Sequence, residues 1–132
     1  MKTRSQSAEL AGLFAALADP TRLRLLNLMA GREVCVCYFV EILRQSQPKI
    51  SRHLAYLRRA GIVAARRDGR WMHYRMVRPD GEARAAILDA ALASFAADPR
   101  MKADRARLDR ACCAPDKLVV LQGAPRPALL AH

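Results

Sequence analysis

Residues 45–61, QSQPKISRHLAYLRRAG, constrain the chain more than any other stretch, because a single apolar stripe is set there against a basic remainder. Ile50, Leu54 and Leu57 recur at i, i+4 and i+7 and line one side of a helix, while Lys49, Arg52, His53, Tyr56 and Arg59 project elsewhere. Ser46 is a good N-cap, Pro48 is tolerated in a first turn whose N–H groups have no helical partner, and Gly61 supplies the stop. The helix is therefore expected over about 47–60. Its first turn carries Gln47 and Lys49, and an exposed helix N-terminus with such side chains suits phosphate contact and base-edge reading in a DNA major groove. Taken alone, the same helix also reads as an amphipathic surface element with a solvated basic face.

The next segment of the chain favours the first reading. In IVAARRDGRWMHYRMV, Asp68-Gly69 is a type I′ hairpin signal between flanks rich in β-branched, aromatic and apolar residues, and Arg66, Arg67 and Arg70 crowd the turn. Trp71, His73 and Arg75 alternate with Met72, Tyr74 and Met76, so one face can pack while the other stays wet. A helix followed by such a hairpin predicts a mainly α fold, a winged helix-turn-helix with a two-stranded wing. Charge agrees with it. The formal net charge is +11, and between 46 and 75 Lys49, Arg52, Arg58, Arg59, Arg66, Arg67, Arg70 and Arg75 stand against the single acid Asp68. Basic charge clustered in this way is the footprint of a polyanion site. A membrane surface is a poorer partner, since the segment includes a hairpin and lacks a long hydrophobic face.

The length of 132 residues fits one domain. Ser7–Leu17 reads as a helix with Leu10, Leu13, Phe14 and Leu17 on one side, too apolar for a short exposed arm. Asp19 caps a second helix that has Pro20 at its first position and ends at Gly31. Val34 and Val36 alternate with Cys35 and Cys37 as in a short strand, and a helix is expected over about 38–44, a few residues before the one at 47–60 as a helix-turn-helix requires. Pro79 and Asp80 open a helix to about Ala97, and Asp98-Pro99 caps a last one, 99 to about 111, next to Cys112-Cys113. Residues 1–113 are thus expected to form the folded unit, and the Pro- and Gly-marked segment 114–132 a disordered tail. With no apolar leader at the N-terminus and no run long enough to span a bilayer, the expected location is the cytoplasm, where cysteines serve as thiols or ligands more often than as structural disulfides.

Several motifs occur in order: Asp19-Pro20-Thr21-Arg22, Cys35-Val36-Cys37, Ser46-Gln47-Pro48-Lys49-Ile50-Ser51-Arg52-His53-Leu54 and Asp68-Gly69-Arg70-Trp71. Over roughly residues 8–78 the chain closely resembles the ArsR/SmtB family of metal- and metalloid-responsive repressors, in its arsenic-responsive branch. The resemblance implies a homodimer, joined through the first and the last two helices, that leaves its operator when a thiophilic ion such as As(III) or Sb(III) binds. It implies an operator that is an imperfect inverted repeat, with half-sites roughly 34 Å or a multiple apart. Gln47, Lys49, Ser51, Arg52 and Tyr56 are then the expected helix contacts, and Arg66, Arg67 and Arg70 the expected phosphate contacts of the wing. His53 has two readings, a DNA contact or a packed, hydrogen-bonded histidine.

Thiolates select soft ions, so Cys35 and Cys37 are the expected inducer ligands. In the arsenic-responsive branch a third cysteine usually follows three residues after the second, and here that position is Val40. Three arrangements stay open: Cys35 and Cys37 recruit Cys112 or Cys113, from the same or the other chain; Cys112 and Cys113 form a second site, adequate for a monomethylated arsenical; or the vicinal pair is incidental. Residues i and i+2 are about 200° apart around a helix, so Cys35 and Cys37 can share an ion only on an extended or distorted backbone, which ion binding is expected to impose. The competing reading of Cys35 and Cys37 is two small buried apolar residues. A zinc sensor is disfavoured because no histidine lies between His73 and His132, while cadmium, lead or a disulfide switch stays open. An enzyme finds no support, as there is no Cys-x-x-Cys or glycine-rich phosphate loop. An architectural DNA-binding protein would share the basic patch but show no ligand effect.

Overall fold

The computed structural model describes residues 5–113, 121 and 123–130. Within them the order is α1 (Gln6–Leu17), α2 (Pro20–Leu28), β1 (Arg32–Cys35), α3 (Val36–Leu43), α4 (Gln47–Arg59), β2 (Val63–Asp68), β3 (Trp71–Met76), α5 (Glu82–Ser94), a 3-10 turn (Phe95–Ala97), α6 (Pro99–Cys113) and β4 (Ala128–Leu129). The expected caps are present. The Arg22 N–H donates to Asp19 Oδ1 at 3.0 Å at the start of α2, and the Lys49 N–H to Ser46 Oγ at 3.4 Å at the start of α4. Between α3 and α4 the chain turns at Arg44, a non-glycine residue with φ of 55°, and closes α3 with an N–H donated to the Val40 carbonyl.

The core is built as the apolar stripes require. Ile50, Leu54 and Leu57 of α4 are fully buried, and meet Phe39 and Ile42 of α3 and Leu25, Leu26 and Leu28 of α2 in one cluster. Each such side chain contributes roughly 1.5–3 kcal/mol by leaving water. The mainly helical winged helix-turn-helix expected from the sequence is thus present, with three differences in the sheet.

First, the wing is part of a four-stranded sheet ordered β2-β3-β1-β4, in which β1 pairs antiparallel with β3 (Val34 with Tyr74, Cys35 with His73). Second, Asp68 pairs with Trp71, so the hairpin loop is Gly69-Arg70, one residue later than the Asp68-Gly69 signal implies. Gly69 takes a φ of 61° and Arg70 does not join it in the positive region, the sign pattern of a type II′ turn with glycine first. Third, β4 adds to the outer edge of β1 within the segment 114–132 expected to be disordered, of which residues 114–120, 122, 131 and 132 lie outside the described residues. Ala128 and Leu129 pair with Glu33 and Arg32, the Leu130 N–H donates to the Gly31 carbonyl, and Leu121 is buried. Proline and glycine end helical periodicity there, but the outer edge of β1 offers unpaired backbone groups that a two-residue strand can satisfy.

Shorter corrections apply to the helices. The strand alternation stops at Cys35 and α3 begins at Val36, two residues before the expected start, while α5 begins at Glu82 and α6 continues to Cys113. Docking of α6 on α2 is polar as well as apolar. The buried Arg24 guanidinium donates to both oxygens of the fully buried Asp104 at 2.7 and 3.0 Å, Arg107 adds a bond at 2.6 Å, and Asn27 Nδ2 donates to the Met101 carbonyl. Burial alone would raise the Asp104 pKa, but hydrogen bonds from Arg24 and Arg107, and their charges, outweigh it and hold the carboxyl below the usual range.

Removing one member of this pair strands the other in the interior. Asp104→Ala should therefore lower the free energy of unfolding by about 3–5 kcal/mol in urea titrations. Because the folded carboxyl titrates below the unfolded one, this contribution is in place above the unfolded pKa of about 4 and is lost as pH falls through the folded value. The gap between wild type and variant should accordingly shrink on acidification.

Candidate functional site

The basic surface is assembled by α4 with help from α2. Gln47, Lys49 and Arg52 are exposed, and Ser51 is half-buried beside them. His53 sits against α2, with Nδ1 3.5 Å from Arg22 Nη1 and 3.9 Å from Asp19 Oδ1, which places it among the groups that seat α4. Arg22 is the brace. Its Nε and Nη2 donate to the Ala16 and Ala15 carbonyls at 2.8 Å, and its guanidinium lies 4.1 Å from the centre of the Tyr56 ring, which Arg59 also approaches at 5.7 Å. Arg22, Lys49, Arg52, His53, Tyr56 and Arg59 line an open groove of about 610 Å³. Reasoning from the α4 stretch alone misses Arg22, whose contribution arises only when α2 packs against α4.

The three wing arginines are not equivalent. Arg67 is exposed and makes no ion pair among the described residues; Arg70 is exposed and stacks 4.7 Å from the Trp71 ring. Arg66 instead reaches across β3 to Glu33 of β1, donating from Nη2 at 2.6 Å and from Nε at 3.2 Å to Oε1. Arg66's hydrogen bond holds the Glu33 carboxyl below its usual range despite burial. Sequence reasoning misses Glu33, where only its place two residues before Cys35 could have drawn attention.

The thiol pair occupies the junction of β1 and α3. Cys35 is the N-cap of α3 with extended backbone (φ −70°, ψ 142°), and Cys37 lies in the first turn. Their sulfurs are 3.4 Å apart, with the Cys37 thiol donating to Cys35. The distortion expected of ion binding is therefore already built into the fold as a strand-to-helix junction. Donation from Cys37, with backbone N–H groups of Cys37, Val36 and Met72, overcomes burial and brings the Cys35 pKa down to about 7, whereas the Cys37 thiol is pushed well up by giving that bond.

Cys112 of α6 is half-buried, and the Tyr38 phenol is raised to about 12, chiefly by burial and then by the charges of Cys112, Cys37 and Cys35. The Tyr38 hydroxyl is buried and has no hydrogen-bond partner among the described residues. The Cys113 side chain lies outside them. No group of three or more His, Cys, Asp or Glu placed to hold a metal is found among the described residues, so Cys35 and Cys37 stand there as a pair. Two sulfurs in contact at a fixed junction, one of them poised to ionise, fit a soft ion that takes two thiolates. Replacing Cys37 by alanine removes the donor that stabilises the Cys35 thiolate. Its ionisation, followed by thiolate absorbance across a pH series, should then move upward from near 7.

Comparison with known proteins agrees with this fold. Residues 19–65 match the family described as "Bacterial regulatory protein, arsR family". The chain is 52% identical over 65 residues to the arsenical resistance operon repressor of Escherichia coli K12, covering 48% of this chain and 56% of that one. It spans little more than half the length of that relative. It is 41% identical over 103 residues to a probable mercury resistance operon repressor of Streptomyces lividans, covering 78% of this chain and 74% of that one. Among solved structures, the AntR antimony-specific transcriptional repressor superposes with a TM-score of 0.56 at 30% identity, covering 71% of this chain and 83% of that one. No helix among the described residues is long and apolar enough to cross a membrane. The chain belongs to the arsR family of bacterial regulatory proteins and has a winged-helix fold.

Proposed function

We propose that the chain is a homodimeric repressor that holds an operator of inverted-repeat form, and releases it when trivalent arsenic or antimony is bound by Cys35 and Cys37. The observation that carries this reading is the pair of sulfurs 3.4 Å apart at the N-terminus of α3, the helix that leads through Arg44 into α4. Arsenous acid condenses with two thiols to give a dithiolate that keeps one hydroxyl, with loss of two waters. Val40 stands where the arsenic-responsive branch has its third cysteine, so a third sulfur would come from Cys112, displacing that hydroxyl as a third water. The names of the relatives support a thiophilic inducer, since they are resistance repressors for arsenic, antimony and mercury.

Coupling arises at the junction. Metalation removes the Cys37 proton and with it the hydrogen bond that seats the first turn of α3, which packs on α4. A coupling free energy of about 1–3 kcal/mol would lower operator affinity several-fold to over a hundredfold. On the DNA side, Gln47, Lys49, Ser51 and Arg52 meet the groove, with Tyr56 and His53 at its border and Arg67 and Arg70 reaching phosphates. The half-exposed Phe14 of α1, at 51%, is placed for the dimer contact. A second reading is favoured by the absence of a third ligand among the described residues: the pair alone suits a divalent soft ion such as cadmium, lead or mercury.

Operator fluorescence anisotropy titrated with arsenite, antimonite, methylarsenite, cadmium, lead and mercury separates these readings. Wild type should be released by the trivalent species, and Cys35→Ser/Cys37→Ser should bind DNA as before yet no longer respond. Survival of release in that double variant would overturn the assignment. Cys112→Ser should weaken the response to arsenite more than to methylarsenite, which needs only two thiols.

A further inference from the structure

Arg66 and Glu33 stand out as an ion pair between strands that are not neighbours. β3 lies between β2 and β1, and on the face shared by Arg66, His73 and Cys35 the guanidinium crosses it to reach the carboxylate. The Glu33 side chain is 10% exposed and Arg66 48%, so the acid is fixed in the interior while its partner extends from the wing. Two N–H groups of Arg66 are spent on Glu33, and the next cation, Arg75 Nη1, is 3.9 Å away. Were Arg66 to turn to a DNA phosphate, it would give up both hydrogen bonds to the buried carboxylate and leave it only the more distant Arg75 among the described residues, which is unfavourable. Arg67 and Arg70 have no such commitment among the described residues.

Glu33 also has a place relative to the sensor. It lies two residues before Cys35 on the four-residue strand β1, on the same face, with both side chains buried. A displacement of the strand end at Cys35 is carried by the backbone to Glu33, and from Glu33 by a two-point hydrogen bond to the wing. We infer that Arg66 is a positioning residue and not a phosphate contact, and that the Glu33–Arg66 pair is the link through which the thiol site sets the position of the wing. This rests on the assignment of Cys35 and Cys37 as the inducer ligands, and adds to it a second route besides α3 and α4.

The test uses full-length protein and its operator. Binding of arsenite is followed by thiolate–metalloid absorbance, and operator affinity by anisotropy with and without arsenite, for wild type, Glu33→Gln, Arg66→Gln and the double variant. Wild type should be released by about fivefold or more, and each single variant by less than about twofold, with unchanged arsenite stoichiometry. The double variant should show no further loss, as expected of two residues acting through one contact. The slope of log affinity against log salt should be unchanged by Arg66→Gln, whereas Arg67→Gln and Arg70→Gln should each reduce it by about 0.9.

Release of Glu33→Gln equal to that of wild type would overturn the link, and a loss of slope in Arg66→Gln would overturn the positioning role. Should Glu33→Gln fail to fold, Arg66→Gln carries both measurements on a half-exposed side chain. If no ion releases wild type, the thiol reading fails, and the salt slope alone decides the role of Arg66.

Discussion

Everything on the sensing side depends on a geometric constraint: a regular helix points residues i and i+2 in nearly opposite directions. The chain meets it by ending a strand and beginning a helix between its two thiols. Cys35 belongs to β1 and is held in register by His73 across the sheet, while Cys37 belongs to α3. The 3.4 Å contact of the sulfurs is thus a by-product of how β1 enters α3, fixed before any ion arrives. A site preformed in this way saves the ordering entropy that a flexible pair of thiols would have to lose on binding. Under the proposed function it also puts the ligand where two rigid elements meet, so that a change there has two directions in which to act.

The DNA-facing side has its own foundation in Arg22. One guanidinium satisfies carbonyls at the end of α1, lies beside the Asp19 cap of α2 and stacks on Tyr56 of α4. Such a residue fixes the orientation of α4 against the core without occupying its outer face, where Lys49 and Arg52 remain exposed. Tyr56 and His53, candidates for contact by their positions in the sequence, therefore lie in the seam between helices and at the margin of the groove.

What is legible in the sequence is local. The Ser46 and Asp19 caps, the Ile50–Leu54–Leu57 stripe and the glycine of the wing depend on residues within a few positions of one another, and each stands as expected. What is not legible depends on distant pairing. Glu33 meets Arg66 only because β1 adds to the wing as a third strand, and Arg24 meets Asp104 across 80 positions. The hairpin loop falls one residue later than its signal because Gly69 serves in either of two turn types, second in one and first in the other. The strand β4 is not legible for a related reason: the proline and glycine of its segment argue against a helix but say nothing about a vacant strand edge far upstream in the chain.

That vacant edge has a consequence for how the molecule is assembled as it is made. β1 is complete only when β3, about forty residues later, lies on one side and β4, near residue 128, on the other. β4 is synthesised after α1 to α4, all of which precede it in the chain. A nascent chain therefore holds α4 before the outer edge of β1, at Arg32 and Glu33, can be covered. During that interval the backbone groups of Arg32 and Glu33 on that edge face solvent.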